Sequence, residues 1–146
     1  MRRTAPAAAP DRLFVDSSAW IALLSRRDQH HAEADALFRG AFGRGARLVT
    51  TNLVLAETHR LLLFRAGVRA AAAALDRLES SPALTLTFAS AEHHAAAREW
   101  LRRLAEWRLS YTDAVSFAVS AASRCQAVLT FDEDFVIAGF RVLRAD

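Results

Sequence analysis

Five acidic side chains stand where short apolar runs end or helical runs begin. Asp16 closes Leu13-Phe14-Val15, Glu57 follows Leu53-Val54-Leu55-Ala56, Asp113 follows Ser110-Tyr111-Thr112, and Asp132 and Asp134 come just after Ala127-Val128-Leu129-Thr130. Each has a local explanation. Asp16 can initiate a turn, Asp113 is favoured in a first helical turn by the helix dipole, and Asp132 and Asp134 can serve as turn and N-cap residues. Glu57 is different, because helical spacing puts Leu53, Leu61 and Phe64 on its face. A carboxylate on a partly buried face needs a partner, either Arg60 three residues on or a cation. Gathered together, such carboxylates repel one another, and a divalent ion relieves the repulsion. Mg²⁺ suits an all-oxygen set: one or two carboxylates anchor it, and it keeps waters and room for a substrate phosphate. Such an ion activates water against a phosphodiester and neutralises the charge that develops on its oxygens.

The elements that must position these acids are short strands alternating with helices. Leu13-Phe14-Val15, Arg47-Leu48-Val49-Thr50, Leu84 to Phe88 and Ala127 to Thr130 read as strands, with Phe140 to Leu143 a candidate fifth. Helices are expected through Trp20 to Leu24, from Gln29 to Phe42, from a Thr51 or Asn52 cap to Phe64, and over Arg69 to Leu78. Two more are expected, one from a Ser90 cap through Trp107 and one after Ser110. This alternation predicts an α/β domain in three layers, a mainly parallel sheet of four to five strands covered on both faces. In such sheets ligands bind beyond the carboxyl ends of the strands, where Asp16 and the 132–134 acids fall.

Composition narrows the classes. The 146 residues suit one domain, read as a flexible extension over 1–11 and a folded unit over 12–146; 53% are hydrophobic, ample for a core. One cysteine, Cys125, excludes an internal disulfide framework and a thiolate zinc site, and points to a reducing cytoplasm. Apolar runs are too short to span a membrane. The formal charge is +3, and all 19 basic residues are arginine, the better side chain for bidentate phosphate contacts. The absence of lysine removes aspartyl-nucleophile phosphatases and phosphoacceptor receivers, both of which rely on one. No Gly-x-Ser-x-Gly elbow or Gly-rich phosphate loop is present.

Four segments together resemble the PIN domain family: Phe14-Val15-Asp16-Ser17-Ser18, Leu55-Ala56-Glu57-Thr58, Tyr111-Thr112-Asp113-Ala114 and Leu129-Thr130-Phe131-Asp132-Glu133-Asp134-Phe135. The nearest branch is the VapC-type ribonuclease toxins of type II toxin–antitoxin pairs. The resemblance implies a Mg²⁺-dependent endoribonuclease, with Mn²⁺ able to substitute, that hydrolyses RNA by metal-activated water and leaves a 5′-phosphate and a 3′-hydroxyl. It carries catalytic roles onto Asp16, Glu57, Asp113 and Asp132 and metal-ligand roles onto those four and Asp134, with Asp132 preferred over Asp134. Ser17 and Thr130 are expected to add hydrogen bonds.

The same resemblance implies an RNA substrate, a cognate antitoxin, a homodimer and a cytoplasmic location, with no membrane partner. Arg26, Arg27, Arg44 and Arg47 are candidates to hold the RNA backbone around the acids. Trp20, Leu24 and Phe38 are candidates for an apolar interface. Two alternatives share the family: an RNA-processing nuclease that is not a toxin, and a non-catalytic binding scaffold. His30-His31 and His93-His94 lack the spacing of a metal-binding histidine pair and read as surface residues; Trp100 and Trp107 read as packing residues and Cys125 as a buried apolar one.

Overall fold

The computed structural model describes residues 8–145. Four strands, β1 (Arg12–Val15), β2 (Arg47–Thr51), β3 (Leu84–Thr87) and β4 (Ala127–Leu129), form one sheet in the order β3-β2-β1-β4, every pair parallel. Leu13 lies opposite Leu48 and Ala127, and Phe14 opposite Val49 and Val128, so the central strands present continuous apolar rows to both faces. Parallel strands need long crossovers, and the helices supply them. These are α1 (Ser17–Leu24), α2 (His31–Gly43), α3 (Asn52–Ala66), α4 (Val68–Glu79), α5 (Ala91–Arg103), α6 (Tyr111–Ala122) and the short α7 (Asp134–Ile137).

Local chemistry sets the helix starts. The Thr51 hydroxyl accepts from the Val54 N–H at 3.1 Å and opens α3. Ser90 opens α5 in a reciprocal box with His93, and the Ser110 hydroxyl accepts from the Asp113 N–H at 3.0 Å to open α6. Gly67, at φ 92°, both ends α3 and starts α4, a backbone that L side chains rarely adopt. The chain therefore winds outward from β1 to β2 to β3, then returns across the sheet to β4 on the other side of β1. The winding reverses at the β1–β4 pair, and in open parallel sheets that reversal leaves a crevice at the carboxyl edge.

Phe117 of α6 is fully buried amid Phe135, Trp100 and Phe140, their ring centroids 5.0, 5.3 and 5.4 Å from its own. Each such side chain contributes roughly 1.5–3 kcal/mol of burial. Cys125 is half-buried and not fully buried as read from the sequence, and burial pushes its thiol up to about 11.

Several expectations change. Trp20 and Phe38 are not at an interface: they are 3% and 1% exposed, their rings 5.2 Å apart, and the Trp20 indole N–H donates to Thr50 Oγ1; Leu24 is half-buried. The reason is that α1 is apolar all round and is packed between α2 and α3, so it has no solvent face. Phe64 is 77% exposed, although it shares the direction of Glu57: the cleft beside Glu57 is lined by Leu61 and Arg65 and does not take in Phe64, whose ring meets the Arg60 guanidinium at the surface. The candidate fifth strand makes only one bridge, Val142 to Val128, since β4 offers it three residues. Helix α5 stops at Arg103, its last turn carrying Arg102 and Arg103 at the negative end of the dipole, and Trp107 lies half-exposed beyond it. Of the expected 1–11 extension, residues 1–7 lie outside the described residues; Pro10 is buried, and its carbonyl accepts from Arg44 Nε at 2.9 Å. Among the described residues no helix is long and apolar enough to cross a membrane.

Candidate active site

All strands point one way, so their carboxyl ends, and the residues that follow them, collect at one edge. Asp16 follows β1 directly; its N–H donates to the Leu129 carbonyl at 3.0 Å, which ties it to the end of β4. It is 1% exposed. Its Oδ2 accepts from Thr130 Oγ1 at 2.9 Å and from Ser18 Oγ at 3.1 Å. Asp113 arrives in the first turn of α6, where the Ser110 hydroxyl also bonds its carboxyl. Asp132 and Asp134 come from the turn into α7, and Glu57 from α3, where Ser17 Oγ donates to its Oε1.

The acids feel one another. Burial raises Asp16 to about 6 against the hydrogen bond from Thr130, and the charge of Asp132 adds to the rise. Burial also raises Asp113 to about 7, with the charge of Asp16 next and a contact with the carboxyl of Asp134 beyond it. Asp132 is raised by burial and then by the charges of Asp134 and Glu57. Asp134 therefore stands at Asp113, while Asp132 borders a cleft with Ser17 and Glu57. Among the described residues none of the five acids forms an ion pair with an arginine or histidine. Arg60, the alternative partner for Glu57, instead lies over the Phe64 ring, its guanidinium carbon 6.0 Å from the centroid.

The donor set is all oxygen, anionic and lacking a counter-charge, which fits a hard divalent cation and not a soft one. No three of the Asp, Glu, His or Cys side chains among the described residues are closed around a single point as a ready-made cage. The uncompensated repulsion has a measurable consequence. A carboxyl whose folded pKa exceeds its unfolded value holds protons that the unfolded chain releases, so the folded state loses stability as pH rises through that window. For Asp113 the window runs from about 3.8 to about 7. In chelator, wild type is expected to match an Asp113→Asn variant in melting temperature near pH 4 and to fall progressively below it by pH 8, with Mg²⁺ restoring wild type alone. A constant difference across that range would remove the electrostatic account.

Some expectations about the surroundings fail for a topological reason. Arg47 begins β2 and Arg44 precedes it, so both lie at the amino edge, opposite the acids; Arg47 donates to the Pro82 carbonyl. Arg26 lines a separate cleft with Arg39 and Arg77, whereas Arg27 is exposed next to Asp28, which lines the cleft beside Glu57, so its candidacy stands. Two participants were not legible beforehand. Ser18 bonds Asp16, lies 3.1 Å from Thr130 Oγ1 and accepts from the Phe131 N–H; the signal was a hydroxyl two residues after a strand-end aspartate. His30 is no free surface residue: it stacks on Phe131, and its neighbour His31 bonds the Ala22 carbonyl.

Comparison with known proteins agrees with this arrangement. The PIN domain family profile matches residues 13–140. The 23S rRNA-specific endonuclease VapC20 of Mycobacterium tuberculosis is 37% identical over 134 residues, 92% of this chain and 99% of the relative. The crystal structure of the M. tuberculosis VapC20 toxin, described as cleaving the sarcin–ricin loop, superposes with a TM-score of 0.83 at 38% identity, covering 91% of this chain and 99% of that one. VapBC2 from Rickettsia felis, solved bound to a promoter DNA fragment, shares the fold at a TM-score of 0.68 and 13% identity, over 92% of this chain and 99% of that one. The chain belongs to the PIN domain family, among its VapC-type endoribonuclease toxins.

Proposed function

We propose that this chain hydrolyses a phosphodiester in a structured ribosomal RNA loop with Mg²⁺, or Mn²⁺ in its place, and that a cognate antitoxin restrains it in the cytoplasm. The observation that carries this reading is the convergence of Asp16, Asp113 and Asp134 at the carboxyl edge, two of them raised to about 6 and about 7, with no ion pair to neutralise them among the described residues. Asp16 and Asp113 would hold the ion, Asp134, in place of the Asp132 preferred from the sequence, would bond from the Asp113 side, and waters and substrate oxygens would complete an open shell. When bound, a divalent ion supplies charge neutralisation at the phosphate and lowers the pKa of water.

The protein's own groups do the rest. Thr130 and Ser18 fix the Asp16 carboxylate by two hydrogen bonds, so its orientation costs nothing at the moment of reaction. Ser17 holds Glu57 Oε1 and leaves Oε2 to orient a water and accept its proton. The leaving group is the ribose 3′-oxygen, giving a 5′-phosphate. An antitoxin partner accords with the toxin–antitoxin structures that share this fold, such as VapBC-5 of M. tuberculosis, at 22% identity and a TM-score of 0.58 over 93% of this chain and 100% of that one; a homodimer is part of the same proposal. Phe64 and Val68, exposed on either side of Gly67, are the apolar surface that such contacts would cover.

The test uses purified, antitoxin-free protein and an end-labelled sarcin–ricin hairpin of 23S rRNA beside an unrelated hairpin. Cutting is expected with Mg²⁺ or Mn²⁺ and none with chelator. Folded protein that cuts neither RNA, nor total ribosomal RNA, with either metal would overturn the reading.

A further inference from the structure

Next to the acids lies a cleft of about 290 Å³, lined by Ser17, Glu57 and Asp132 together with the 28–30 segment between α1 and α2. Two aromatic rings from distant parts of the chain meet in its wall. The His30 imidazole and the Phe131 phenyl ring are stacked, centroids 4.4 Å apart and planes 5° from parallel. Both backbones are held: the His30 N–H donates to Asp28 Oδ1 at 2.8 Å, and the Phe131 N–H donates to Ser18 Oγ at 2.9 Å. Both residues are only partly buried and both line the cleft, which also takes in Arg65 of α3, a guanidinium with no ion pair among the described residues.

A pair serving only to clamp the loop would need no open surface, yet this one lines the same cleft as Glu57 and Asp132 of the candidate chemistry. The cleft is at the small end of ligand-sized pockets, roughly 300–1,000 Å³, enough for a single nucleotide and too small for a duplex. Aromatic side chains bind bases through their π-faces without regard to sequence, and rings already fixed in place lose little entropy on binding. We propose that the His30–Phe131 stack is the platform for one unpaired base beside the scissile phosphate, with Arg65, which lines the same cleft, taking an adjoining phosphate. This rests on the ribonuclease reading above. Because Phe131 is the immediate neighbour of Asp132, stacking there registers the backbone against the acids. It also demands a base free of its helix, which selects loop nucleotides over paired ones.

The experiment is a cycle on the sarcin–ricin hairpin, combining the full-length protein and its His30→Ala and His30→Phe variants with substrates made abasic at each position flanking the cut. For wild type, one abasic position is expected to raise KM by about tenfold to a hundredfold with little change in kcat. His30→Ala should raise KM on the intact hairpin by a similar factor and be indifferent to that same abasic position. His30→Phe, which keeps a ring, should recover most of the loss. Equal melting temperatures among the three proteins separate stacking from folding. If wild type cuts but the His30→Ala and abasic effects multiply at every position, the platform is wrong and the nuclease stands; if wild type cuts no RNA with metal present, the nuclease reading itself has failed.

Discussion

Replacing Asp113 by asparagine is expected to lower metal-dependent RNA cleavage on the order of a thousandfold while leaving the fold at least as stable as wild type. The first half follows from charge. On the proposed reading the Asp113 carboxylate would act through the cation it would hold beside the phosphate, an effect worth several kcal/mol in the transition state, and each 1.4 kcal/mol is a factor of ten. Asparagine keeps the shape and the Ser110–Asp113 backbone cap, because the bond that opens α6 comes from the main-chain N–H. The second half follows from repulsion. Asp113 is raised to about 7 by burial and by its neighbours Asp16 and Asp134, so a neutral amide removes a destabilising charge at pH 8. Activity and stability should therefore move in opposite directions, a pattern that a misfolded variant cannot produce. Single-turnover cleavage of the sarcin–ricin hairpin together with thermal denaturation in chelator measures both. A variant that cuts within tenfold of wild type would remove Asp113 from the site.

Truncating Phe117 to alanine is expected to destabilise the protein by about 3–5 kcal/mol, the range for deleting a fully buried phenyl ring. Phe117 touches three other rings at 5.0–5.4 Å, and those rings come from α5, α7 and the segment after α7. Its loss opens a cavity shared by three elements, none of which can collapse into it without breaking the Trp100–Phe140 and Phe135–Phe140 contacts. For a chain of this length the melting temperature should drop by about 10–20 °C. Since Phe117 lies one helical turn beyond Asp113, cleavage should fall with the folded fraction and recover on cooling, unlike the Asp113→Asn loss, which persists at every temperature. A drop of under about 3 °C would mean that the aromatic cluster is not the keystone described here. Phe117→Leu, which refills most of the volume, should lose much less.

The fold was readable to a large degree, and the reason lies in period and punctuation. Leu13-Phe14-Val15, Arg47 to Thr50 and Ala127 to Leu129 are apolar runs too short for helices, and Thr51, Ser90 and Ser110 are hydroxyl caps just ahead of helical periods, so element type followed from neighbouring residues alone. The acids at the ends of β1 and β4 were legible for the same reason: in a parallel sheet the residue after any strand lies at the carboxyl edge, whatever the strand order.

Local pattern could not report distances between segments, and that is where readings changed. Arg44 and Arg47 look like neighbours of the acids in a list of basic residues, but the direction of β2 puts them at the far edge. Trp20 and Phe38 look like spare apolar surface until α1 is seen enclosed between α2 and α3. Phe64 shares the direction of Glu57 and is still exposed, because helical spacing gives a direction and does not say whether another element covers it. The sequence by itself determined the strand–helix alternation, the parallel sheet and the four aspartates at element ends, with Glu57 inside a helix, because caps and hydrophobic period act within a few residues. Only the tertiary structure decided that Ser17 and not Arg60 meets Glu57, that Ser18 and Thr130 hold Asp16, and that His30 stacks on Phe131 101 residues away, because such contacts are set by how whole elements pack against one sheet edge.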